Sequence, residues 1–137
     1  MISTIFAILL VAFPLTASVT LNEQIEQSEH YNLITALELK SWYDQDMPMI
    51  VLDARSEPYF DGILLPNAIW LPAESTDEEI LSVLPSKDSL IAVYCHGVDC
   101  PASGWLYDKL DRLGYTNLFE YYEGIDDWME RGYPVVE

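Results

Sequence analysis

The chain has 137 residues, half of them hydrophobic, and 23 acidic against 6 basic side chains give a formal charge of −17. A chain this long and this apolar can bury one core unaided, which excludes disordered and disulfide-scaffold classes. The charge repels nucleic acid and anionic membrane surfaces, and it suits a solubility surface or a basic protein partner.

Residues 1–20 carry no charged side chain, are apolar from Ile5 to Leu15, and end in small residues at Ala17 and Ser18. This pattern reads as a signal peptide cleaved near Ala17 to Thr20. Left uncleaved, a stretch of roughly 20 residues would act as a membrane anchor. Pro14 favours cleavage because it ends the apolar run. The protein is therefore expected to be exported, periplasmic or secreted, or else tethered to a membrane by residues 1–20. The polar residues 21–31 read as a linker, and a single domain is expected over 32–137.

Within that domain Thr35 and Glu38 match a Thr-x-x-Glu capping box, with Leu37 and Trp42 near helical spacing, so a first helix is expected from Thr35. Met49 to Leu52 is a continuous apolar run ending in Asp53-Ala54-Arg55, the signature of a strand buried on both faces that reaches a polar rim. Ser89 to Tyr94 repeats that design and ends in Cys95, with a helix expected between the two over Asp77 to Leu84. A helix from Ser103 to Leu113 presents Leu106, Leu110 and Leu113 on one face and stops at Gly114. A strand over Asn117 to Tyr121 and a short helix over Ile125 to Arg131 complete the chain. The fold class that follows is α/β, a central mostly parallel sheet covered by helices on both faces.

Parallel α/β sheets bind ligands outside the carboxyl ends of their strands, where helix N-termini point free N–H groups into the crevice. Cys95 occupies such a place. Loop amides and the following helix dipole favour its thiolate, whereas Asp99 opposes it.

The whole segment from about Asn32 to Glu137 resembles a rhodanese domain. Ile50 to Arg55 resembles the family's Asp-x-Arg strand end, and Leu65 to Pro72 its Ile-Pro-Gly-Ala turn. Ile91 to Cys95 resembles the strand leading to the active cysteine, and Leu110 to Leu118 and Glu123 to Val135 resemble the domain's tail. The resemblance implies a sulfurtransferase in which Cys95 accepts a sulfane sulfur from a small donor as a persulfide and hands it to a thiol acceptor. Backbone N–H groups of the loop from His96 through Gly97, Val98, Asp99 and Ala102 to Ser103 would cradle the terminal sulfur. No cofactor is implied.

The loop departs from the family pattern. It is about two residues longer, contains Cys100, and holds no Arg or Lys, which argues against the thiosulfate dianion as donor. Arg55 is the nearest candidate to supply the missing positive charge, although Asp53 and Arg55 also fit a structural ion pair. Cys100 fits a resolving thiol, a disulfide partner or a small residue before Pro101. His96 fits a loop base or a solvated side chain, and Trp105 is close enough in sequence to line a pocket. Zinc binding by Cys95, His96 and Cys100 is excluded by their spacing and the missing fourth ligand. A phosphatase of Cys-x5-Arg type is excluded by Pro101. Two alternatives stand beside sulfur transfer: a thiol–disulfide or redox protein using Cys95 and Cys100, and a rhodanese-like binding module that has lost its chemistry.

Overall fold

The computed structural model describes residues 31–137, so the segment read as a signal peptide or anchor and all of the linker but Tyr31 lie outside the described residues. Helix α1 (Ala36–Asp44) starts where the capping box places it: the Thr35 hydroxyl accepts from the Glu38 amide at 3.3 Å while the Glu38 carboxylate accepts from the Thr35 amide at 2.9 Å. Its buried residues are Ala36 and Leu39. Leu37, expected on the apolar face, is 68% exposed because it lies a step of about 100° round the helix from Ala36.

Four parallel strands follow, β1 (Ile50–Asp53), β2 (Ile69–Trp70), β3 (Ile91–Tyr94) and β4 (Leu118–Tyr121), in the spatial order β2-β1-β3-β4. Ile50 stands opposite Ile91, and Ile91 opposite Leu118, so β3 is flanked on both sides and all four of its residues are buried. β2 is not apparent in the sequence. It is two residues long, both partly exposed, and it joins the sheet through the pairing of Leu52 with Ile69 and Asp53 with Trp70.

Helices α2 (Asp77–Val83), α3 (Ala102–Arg112) and α4 (Gly124–Glu130) complete the layers. One face of the sheet offers Leu52, Ile91, Val93 and Leu118 to Ile80 of α2 and to Leu106 and Leu110 of α3. The other offers Val51, Ala92, Tyr94 and Tyr121 to Leu39 of α1 and to Ile125 and Trp128 of α4. The alternation of side chains along each strand thus divides the apolar residues between two cores, and a continuous hydrophobic run is what a strand with a core on each side requires. Among the described residues no helix is long and apolar enough to cross a membrane.

Candidate active site

Because the strands are parallel, the segments that leave β1, β3 and β4 emerge at one edge: Ala54-Arg55, Cys95-His96 and Tyr122-Glu123. Cys95 is 1% exposed and continues the Ile91–Val93 row toward α3. Its carbonyl accepts from the Ile125 amide at 3.0 Å, and the His96 carbonyl accepts from the Asp126 amide at 3.1 Å. The first turn of α4, whose N–H groups have no partner within their own helix, therefore clamps the start of the cysteine loop. Gly124 makes this approach feasible. It has φ of +72°, and a Cβ there would stand 2.7 Å from Cys95 and His96 backbone atoms.

The loop turns back on itself through a bond from the Cys100 amide to the Gly97 carbonyl at 2.9 Å, and Cys100 is joined to Cys95 as a disulfide with a Cα separation of 6.3 Å. Among the described residues, the amides of Gly97, Val98 and Asp99 have no acceptor. Pro101 caps α3 without a side-chain hydrogen bond, so the first-turn amides of Ala102 and Ser103 also face the loop region unpaired. The Ser103 hydroxyl is committed elsewhere, donating to the Glu120 carboxylate at 2.7 Å. Burial raises the Glu120 pKa, and that hydrogen bond only partly offsets it.

Arg55 is placed against Asp53. Its Nε and Nη2 bind the Asp53 carboxylate at 3.0 and 2.7 Å, Nη1 binds Asp61 at 3.0 Å, and Nη2 also donates to the Ile63 carbonyl at 2.6 Å. These bonds use the Nε–H, both Nη2 hydrogens and one on Nη1. Burial alone would lower the Arg55 pKa, and the Asp53 and Asp61 carboxylates together raise it. At 1% exposure the guanidinium holds the strand end to the following turn and has little capacity to meet a soluble anion.

A cleft of about 790 Å³ opens at the Cys100 end of the disulfide, and Cys95 is not among its lining residues. Tyr59, Val98 and Trp105 give it an apolar, exposed wall. The rest of the lining is largely acidic, with Asp99 from the loop, Glu123 at the cap of α4, and Asp126, Asp127 and Glu130 from α4 itself. Arg55 is the only Lys or Arg in the lining. His96, half-exposed, lies 3.1 Å from Asp126 through Nε2. Among the described residues no group of three or more His, Cys, Asp or Glu is arranged to hold a metal ion.

Of the residues the sequence points to, Cys100, Arg55, Trp105 and the loop with His96 and Asp99 line one cleft, and Cys95 is joined to them through the disulfide without lining the cleft itself. Tyr59, the clamp at Gly124 and the carboxylates of Glu123, Asp126, Asp127 and Glu130 are not apparent from the sequence. The spacing of Glu123, Asp126, Asp127 and Glu130 at i, i+3, i+4 and i+7 was the available signal, since it puts four carboxylates along one helix face.

Reduction of the disulfide yields two thiols of unequal standing. Cys95 lies in the apolar core cluster at the start of the loop, whereas Cys100 is partly exposed in the cleft lining. The arrangement suits a nucleophilic Cys95 with a partner thiol within reach.

The model of the rhodanese-like domain family matches residues 35–131. No curated protein matches the chain. Among solved structures, a protein from Bacillus halodurans superimposes with a TM-score of 0.70 at 22% identity over 85% of each chain. A rhodanese-related protein from Thermoplasma volcanium gives 0.61 at 29% identity, covering 77% of this chain and 98% of that one. A thiosulfate sulfurtransferase from Pseudomonas aeruginosa gives 0.69 at 18% identity, covering 85% of this chain and 22% of that one. The first and third of these likenesses show a shared fold. The family match runs from the cap of α1 to the end of α4 and takes in the whole cysteine loop, and the chain belongs to the rhodanese-like domain family.

Proposed function

We propose that this protein is a sulfurtransferase that holds a sulfane sulfur as a persulfide on Cys95 and passes it to a thiol acceptor. The observation that carries this reading is the position of Cys95. It stands buried at a strand end, its carbonyl held by α4, beside loop amides and a helix start that have no acceptor of their own. A persulfide anion at this buried strand end needs such donors. The disulfide must be reduced before Cys95 can take up sulfur, because a disulfide sulfur is no nucleophile.

The cleft supports a choice of donor and partner. Thiosulfate is a dianion and would enter between carboxylates with Arg55 already engaged, so a persulfide or a zwitterionic sulfane donor suits the site better. The same lining extends the expectation of a basic partner from the whole surface to the cleft itself. The expected export of the chain would bring the cysteine pair into an oxidising compartment.

A second reading, a thiol–disulfide protein, is favoured by the bond between Cys95 and Cys100. Intact-mass measurement separates the two. Reduced Cys100→Ser, which cannot form the disulfide, is incubated with a persulfide donor and is expected to gain the mass of one sulfur atom on the Cys95 peptide. Absence of that mass across persulfide, polysulfide and thiosulfate donors would rule out the sulfur-transfer reading and leave the redox protein and the binding module.

A further inference from the structure

The disulfide fixes where Cys100 can attack. Its Sγ reaches the Sγ of Cys95, and in a Cys95 persulfide that atom is the inner sulfur of the pair. Attack on an inner sulfur expels the outer one, whereas attack on the outer sulfur would move it to a new carrier. The two outcomes differ in product, and the bond observed here belongs to the first.

Resting on the persulfide reading above, we infer that Cys100 discharges the Cys95 persulfide internally, so that the protein reduces sulfane sulfur to hydrosulfide at the expense of its own two thiols. The Cys100 thiolate attacks Cys95 Sγ. The bond from Cys95 Sγ to the outer sulfur breaks, the bond from Cys95 Sγ to Cys100 Sγ forms, and the outer sulfur leaves with the electron pair as hydrosulfide. The sulfane sulfur is reduced and the two cysteines are oxidised, with the Cys100 proton lost to solvent when the thiolate forms. An external dithiol then attacks the disulfide, becomes oxidised itself, and returns both cysteines to the thiol form.

Three features of the site agree with this sequence. The chain between the two cysteines is short and is folded back by the bond from the Cys100 amide to the Gly97 carbonyl, so closure costs little chain entropy. Cys95 is buried while Cys100 is partly exposed in the cleft lining, so an external dithiol reaches Cys100 first and releases Cys95 as the thiolate. The Cys100 end of the disulfide faces an open cleft lined by carboxylates, which do not retain an anion such as hydrosulfide.

The test uses the full chain, reduced and freed of reductant, with one equivalent of cysteine persulfide and no other acceptor. Wild type is expected to release about one equivalent of hydrosulfide and to end with the mass of the disulfide form and no added sulfur. Cys100→Ser is expected to keep one added sulfur on Cys95 and to release hydrosulfide only when dithiothreitol is supplied. Reduced wild type, which lacks the same crosslink, is its folding control by circular dichroism. Wild type that retains the added sulfur with Cys100 alkylatable would overturn the inference and leave the persulfide reading intact. Failure of Cys100→Ser to gain sulfur would overturn both.

Discussion

Replacing Gly124 by Ala tests how the cysteine loop is held. At φ of +72° an alanine is strained by roughly 1–2 kcal/mol. Its Cβ would also stand 2.7 Å from the Cys95 carbonyl oxygen and from the His96 carbonyl carbon and oxygen, all backbone atoms that cannot swing aside. Relief requires α4 to withdraw, which breaks the bonds from the Ile125 and Asp126 amides at 3.0 and 3.1 Å, each worth about 1 kcal/mol. The expected loss is about 3–4 kcal/mol, a large share of the roughly 5–15 kcal/mol that holds a domain together. Gly114→Ala is the control. Its φ is +90° but nothing lies within 4 Å of the added Cβ, so it carries the strain without the collision. Urea unfolding of the three proteins, followed by the fluorescence of the four tryptophans, of which Trp128 is fully buried, should place Gly124→Ala at least about 2 kcal/mol below Gly114→Ala, the two lost hydrogen bonds. Equal costs for the two variants would refute the argument that α4 clamps the loop.

Arg55→Gln leaves Asp53 as a buried, unpaired carboxylate and is expected to cost about 3–5 kcal/mol in the same unfolding assay, with Asp53→Asn in the double variant restoring part of it. An unchanged midpoint for Arg55→Gln would contradict the structural role assigned to that guanidinium. For Glu120 the folded pKa lies above the ordinary 4.5, so the folded state prefers the protonated carboxyl. Its stabilising contribution is present below pH 4.5 and is lost as pH rises through the folded value, so Glu120→Gln should gain on wild type as pH increases; a constant difference in midpoint would be the contrary result. Sulfur loading of reduced Cys100→Ser by the thiosulfate dianion should accelerate several-fold between ionic strengths of about 0.01 and 1 M, as the Debye length falls from about 30 to 3 Å, while loading by cysteine persulfide, with one net negative charge, accelerates less. Equal salt responses would argue against an electrostatic barrier at the acidic cleft.

The parts of the fold that were legible in the sequence are those whose physics is local or periodic. β1 and β3 show as unbroken apolar runs because each is covered on both faces, and α1 shows through the Thr35–Glu38 pairing that its own first turn demands. The position of Cys95 follows from the same reading, since a strand end in a parallel sheet is a place before it is a chemistry. β2 was hidden because two half-exposed residues have no period, and only their pairing with β1 makes them a strand. The fate of Arg55 was hidden for a different reason. Asp61 and the Ile63 carbonyl reach its guanidinium only after the chain has turned back on β1, so one charge could be read as ligand-binding or structural until the turn was in place. Spacing alone also left Cys100 among three roles, and the folding back of the loop through Gly97 brings it onto Cys95.

Sulfur transfer by this protein requires that Cys95 Sγ be the atom that accepts sulfur. The direct measurement is peptide-resolved mass spectrometry of reduced Cys100→Ser after exposure to cysteine persulfide, beside Cys95→Ser treated alike. The mass of one sulfur atom is expected on the Cys95 peptide of Cys100→Ser and none on Cys95→Ser. Added sulfur on Cys95→Ser, or none on either variant, would contradict it.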